Sequence, residues 1–265
     1  MENLQTQHLH KLFQTASIAE IVILDTNPLS VVDRFAFGAI EKVKKISHGM
    51  MFVQPSVDEV ENLEFTMGTL LRSLMMDDIQ LLALINIEVK LREESKTKEQ
   101  ITYEISEKCY KFLADGTMKL IKNIKNNPEL TLRQKNELTI KFANMFPKAF
   151  DMTDEINPKL RSGYGPILTT NEYNALGVHD SLVRKDHVFE AFSRYSMYDH
   201  LSFWTGQMPG ISIETRMNRI KTEIIICLFH MRDLMLLSYN HGETNEKLLP
   251  IIEELNTYIQ ITTPI

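Results

Sequence analysis

The sequence predicts an all-α protein, a multi-helix bundle with several long helices. Three observations carry that expectation. Ten glycines and nine prolines are few for 265 residues, which disfavours an all-β chain built from many turns. Apolar residues recur at three- and four-residue spacing through long stretches. Helix-start signals punctuate those stretches: Ser56 with Glu59, Thr97 with Gln100 and Thr131 with Gln134 each have the capping-box pattern.

On this basis helices are expected at 4–24, 28–48, 56–93, 97–125, 131–146, 180–204, 213–240 and 244–260. The first carries an apolar stripe through Leu4, Leu9, Leu12, Phe13, Ala16, Ala19 and Ile23. Asn27 before Pro28 reads as the next helix start, because proline is preset for a first turn, and Gly49 as its end. A rival reading makes EIVILDTN (20–27) and GMMFVQP (49–55) strands, each ahead of a helix. Strand, helix, strand, helix with acids at the strand ends resembles the opening of PIN-domain nucleases. That resemblance would give Asp25 and Glu59 a share in holding Mg²⁺ or Mn²⁺ for phosphodiester hydrolysis. After Glu61 the chain becomes one long helical pattern, with no later strand to bring a further acidic pair.

Within that long pattern, Arg72, Asp77 and Asp78 interrupt FTMGTLLRSLMMDDIQLLALI (65–85). They read either as a solvent face, with the leucines and methionines packing inward, or as a binding group. Asp77 and Asp78 lie five and six residues from Arg72, too far round an ideal helix to pair with it. Arg72 is therefore expected to meet a partner on another helix, since an arginine buried without one costs several kcal/mol. Asn126-Asn127-Pro128 ends the 97–125 helix. The segment DMTDEINPKLRSGYGPIL (151–168) holds two prolines, two glycines and no apolar period. It reads as a loop separating N-terminal from C-terminal helices within one helical domain, 1–265.

The next helix contains HVFEAFSRYSMYDHLSFW (187–204). Phe189, Phe192, Tyr195 and Tyr198 recur every three residues, and Phe203 and Trp204, the only tryptophan, follow. An aromatic stripe is more often core than a stacking platform. As a site, Tyr195, Tyr198 and Trp204 would bind, while Arg194 held an anion and His200 moved a proton. Six residues apart, Arg194 and His200 differ by roughly 600° of rotation, about 120° short of two turns. A shared role needs a kink or a second chain. An arginine a few residues before a histidine on a helix of an all-α domain is similar to the motif of HEPN-type ribonucleases. LLRSLMMDD early and RYSMYDHLSFW late also resemble bacterial all-helical proteins related to that superfamily. The resemblance implies metal-independent RNA cleavage or nucleotide binding in a defence or toxin system, by Arg194 and His200, usually in a dimer. Tyr195 stands where a polar residue more often follows the arginine.

In the 213–240 helix, Ile220, Ile224, Cys227, Leu228, Met231, Leu234 and Met235 form a wide stripe, read first as core and otherwise as an oligomer face. Its most apolar run, 224–231, is far shorter than the roughly 20 residues that cross a bilayer. The N-terminus lacks the basic-then-apolar order of a secretory signal. With Cys109 and Cys227 far apart, two free thiols and a cytoplasmic setting are expected. A net charge of −6 argues against a broadly basic surface. His8-x-His10 and the Asp186, His187, Glu190 group are the nearest approaches to a metal site. There is no HExxH, CxxC, nucleophile elbow or Gly-rich phosphate loop, so neither metal nor cofactor is expected. The composite expectation is a helical protein that acts by binding, with a homodimer as the partner state the apolar faces suggest. RNA or a nucleotide enters only with the ribonuclease resemblance.

Overall fold

The computed structural model describes residues 4–53, 60–165, 181–199, 212–243 and 246–262. Among these there are eight α-helices and two strands of two residues each, so the chain is all-α. The helices are α1 (Leu4–Leu24), α2 (Val31–Val53), α3 (Val60–Glu93), α4 (Lys98–Asn126), α5 (Leu132–Asn144), α6 (Ser181–Asp199), α7 (Ile213–His241) and α8 (Leu249–Thr262). A 3₁₀ turn, Glu246–Leu248, precedes α8. The chain divides into two compact units, Met1–Asn86 with Leu176–Ile265, and Ile87–Ala175.

In the first unit α7 packs against α1, α2, α6 and α8. Its stripe explains why: Ile220, Ile224, Cys227, Leu228, Met231, Leu234 and Met235 are all fully buried. Removing each such side chain from water stabilises the fold by about 1.5–3 kcal/mol. Helix α1 answers with Leu9, Leu12, Ala16, Ala19 and Ile23, also buried. That stripe overturns the strand reading of 20–27, since α1 continues to Leu24. The 49–55 strand falls likewise. Met50 extends the buried row of Val43 and Ser47 by one more turn, and α2 runs past Gly49 to Val53. Helices therefore occupy the ground on which a PIN-type sheet would have to stand.

The start of α2 also lies beyond the expected Asn27–Pro28. Asp33 N–H donates to Ser30 Oγ at 3.0 Å, and Ser30 N–H donates to Asp33 Oδ2 at 3.3 Å. This reciprocal pair satisfies two backbone donors at the helix start and sets it at Val31.

Helix α1 is tied to α8 by Lys11 with Glu254 and by His8 Nδ1 with the Tyr258 hydroxyl at 2.8 Å. His8 is fully buried, and its Nε2 has no hydrogen-bond partner among the described residues. Burial, helped by the Lys221 charge, holds its pKa below the ordinary histidine value. The unfolded chain, with a value of about 6.5, takes up the proton first as pH falls. His8 therefore favours folding above that value and loses its contribution as pH drops toward the folded value. Urea midpoints at pH 7.5 and 5.5 should differ more in the wild type than in His8→Gln. Equal differences would show that His8 does not titrate between those values.

In the second unit the capping boxes at Thr97–Gln100 and Thr131–Gln134 both form and open α4 and α5. Asn127 closes α4 with its N–H on the Ile124 carbonyl. A small core gathers Ala114, Ile121, Ala143, Phe146 and Phe150, with Tyr110 set edge-on to Phe146. Strands β1 (Phe150–Asp151) and β2 (Lys159–Leu160) pair antiparallel, with Phe150 opposite Leu160. The loop expected at 151–168 is built on that hairpin, with its turn held by Asp154, which accepts from Ile156 N–H and Asn157 N–H. Cys109 and Cys227 are buried and not joined in a disulfide, and burial pushes the Cys109 thiol up to about 12. Among the described residues no helix is long and apolar enough to cross a membrane.

Candidate binding cleft

Helix α6 places His187, Glu190 and Arg194 on one face, at i, i+3 and i+7. Helix α7 does the same with Thr215, Asn218, Arg219 and Thr222, followed by Glu223 and Ile226. The two faces meet around a cleft of about 320 Å³, lined by these nine residues. Its volume lies at the lower end of the range of small-molecule sites.

The floor of the cleft is an ion-pair cluster. Arg194 Nη1 donates to Glu223 Oε1 at 2.9 Å, and Nη2 donates to Glu190 Oε1 at 2.6 Å. The Tyr195 hydroxyl donates to the other Glu223 oxygen. Tyr195 is fully buried and Glu223 nearly so, whereas the Glu190 side chain is mostly exposed. Burial works to lower the Arg194 pKa, but the charge of Glu223 and the hydrogen bond to Glu190 outweigh it, and the net shift is upward. The guanidinium is thus held charged and held still.

The rim differs. His187 and Arg219 make no hydrogen bond, ion pair or ring contact among the described residues. His187 is exposed and Arg219 half-buried. The Thr222 hydroxyl donates to the Asn218 carbonyl, and the Ser212 side chain caps α7 by accepting from Thr215 N–H.

Gly68 of α3 makes room for this arrangement. A Cβ there would fall inside contact distance of Tyr195 Cδ1 and Cε1, ring atoms that cannot swing aside without giving up the Glu223 hydrogen bond. Gly68→Ala should therefore destabilise the chain by about 1–3 kcal/mol in urea unfolding. Adding Tyr195→Leu should return part of the loss. No recovery would show that the strain lies elsewhere.

The residues singled out in the sequence go to different places. Arg194 lines the cleft, and Tyr195 is buried behind it on Glu223. Arg72 lies over the Phe192 ring of α6, 5.4 Å from its centroid. Asp77 pairs with Lys42 at 2.7 Å, and the fully buried Asp78 with His230 Nδ1 at 2.8 Å. Among the described residues these three side chains meet Phe192, Lys42 and His230. The Tyr198 side chain, His200 and Trp204 lie outside the described residues. Among the described residues no three potential ligands group to hold a metal.

Glu223, Arg219 and His230 were not singled out. A signal for two of them is present: Glu223 lies between Ile220 and Ile224 of the apolar stripe, and His230 sits between Cys227 and Leu234 on the same stripe. An ionisable group on a buried stripe implies a partner across the core. Comparisons with protein-family models, with characterised proteins and with solved structures find no match.

Proposed function

We propose that the protein acts by binding, without a classical enzyme activity, and that the cleft between α6 and α7 is its binding site. The supporting observation is the contrast between floor and rim. The floor groups satisfy one another, so they define a fixed surface. Arg219 and His187 at the rim have no partner among the described residues, so they are available to a ligand. Arg194 counts against the ribonuclease reading. An arginine gripped by two carboxylates is poorly placed to follow charge developing on a phosphodiester.

The test is a backbone amide NMR experiment with a library of small polar fragments. Fragment-induced shifts clustered on Thr215, Asn218, Arg219 and Thr222 support the reading. Shifts confined to other helices overturn it. So would RNA degradation by the purified wild type that is lost in Arg194→Ala.

A further inference from the structure

We propose that the cleft between α6 and α7 takes the phosphoryl group of a small ligand, with Arg219 and His187 as its anchors. The inference rests on the reading of this cleft as the binding site and adds the chemistry of the ligand.

Charge alone does not choose the ligand. Arg194 and Arg219 balance Glu190 and Glu223 in formal charge. What decides is which groups lack a partner. Both carboxylates are bound to Arg194, and Glu223 also accepts from Tyr195. A cationic ligand would have to compete with that arginine for the nearly buried Glu223 or for an exposed Glu190 that it already holds. An anion displaces nothing, because Arg219 has no carboxylate among the described residues.

The rim also suits the number of oxygens. Arg219 offers a planar fork of N–H donors, which fits two oxygens of a phosphate at once. Asn218 adds an amide one residue before it on α7, and His187 lines the same cleft from α6. Donors on two helices suit a tetrahedral group with three terminal oxygens better than a flat carboxylate with two. The cleft's volume of about 320 Å³, with Ile226 in its lining, leaves room for the small body of such a ligand.

Inorganic phosphate titrated into the full chain at constant ionic strength, followed by phosphorus NMR and by the α7 amide signals, tests this. The wild type should show saturable binding that shifts the Asn218 and Arg219 amides. Arg219→Ala should weaken it about tenfold, the usual consequence of losing a charge-assisted hydrogen-bond pair. Arg219→Lys should fall between, since a point charge keeps the attraction and loses the fork. Arg219 is half-buried and makes no hydrogen bond or ion pair among the described residues, and circular dichroism would verify that both variants fold. His187→Gln gives a second, independent loss on α6.

Three results would overturn the proposal: no phosphate binding, phosphate bound equally by Arg219→Ala, or acetate bound as tightly as phosphate. If uncharged fragments still shift the α6 and α7 amides while phosphate does not, the cleft remains a binding site and only the phosphoryl assignment falls.

Discussion

Glu223→Ala is expected to lower the unfolding free energy by about 3–5 kcal/mol, the usual cost of removing one partner of a buried charge pair. Glu223 has 4% of its side chain exposed and Arg194 12%, so water can reach the guanidinium, left with only the exposed Glu190 as partner, only weakly. The Tyr195 hydroxyl, fully buried, loses its acceptor in the same step. Glu223→Gln should cost less. Its amide oxygen still accepts one hydrogen bond, although the charge that holds Arg194 is gone. The decisive comparison is the double variant Glu223→Ala with Arg194→Met, which removes both charges and leaves apolar volume. It should be more stable than Glu223→Ala alone, because no largely buried guanidinium is left with only an exposed partner. Urea unfolding of the wild type, Glu223→Ala, Arg194→Met and the double variant measures the coupling. Additive losses would mean that water or another group already solvates Arg194 and that the cleft floor is not a closed cluster.

The same cluster shows where sequence reasoning reaches and where it stops. The buried faces of α1 and α7 were legible because burial repeats with the helix, and one period specifies the whole face. The Thr97 and Thr131 boxes were legible because both members of each pair lie three residues apart. The start of α2 was misplaced because Asn27–Pro28 and Ser30-x-x-Asp33 are both good start signals. The second won through two hydrogen bonds that the first does not offer. Arg194 could be singled out, but its main partner is 29 residues away on another helix. Arg72 and Asp78 are six residues apart in sequence, yet one meets Phe192 and the other His230. Local spacing excluded their pairing with each other and could not name their partners.

Asp33 is the extreme case of a partner set invisible to local spacing, and Asp33→Ala should be as damaging as any substitution in the first unit. The carboxylate is fully buried. One oxygen accepts from Ser238 Oγ at 2.5 Å. The other accepts from Ser30 Oγ at 2.8 Å, from Glu243 N–H at 2.8 Å and from Ser30 N–H at 3.3 Å. One side chain thus caps the start of α2 and ties down the residues that follow α7, more than two hundred positions later. Gly242 fits because a Cβ there would lie 2.7 Å from Asp33 Cγ and 2.6 Å from the Ser238 carbonyl oxygen. Its backbone is extended, so space and not a left-handed turn demands glycine. Loss of the cap alone costs about 1 kcal/mol. Each donor left unsatisfied in the interior adds about 1–3 kcal/mol. The expected total is about 3–5 kcal/mol, with Asp33→Asn milder because one acceptor oxygen survives. Hydrogen exchange separates the two roles. In Asp33→Ala the Glu243 amide should exchange much faster, together with the last turn of α7, while Ser30→Ala should loosen only the start of α2. If Glu243 keeps its protection in Asp33→Ala, the carboxylate caps one helix and not two. The link between the start of α2 and the end of α7 would then have to come from apolar packing.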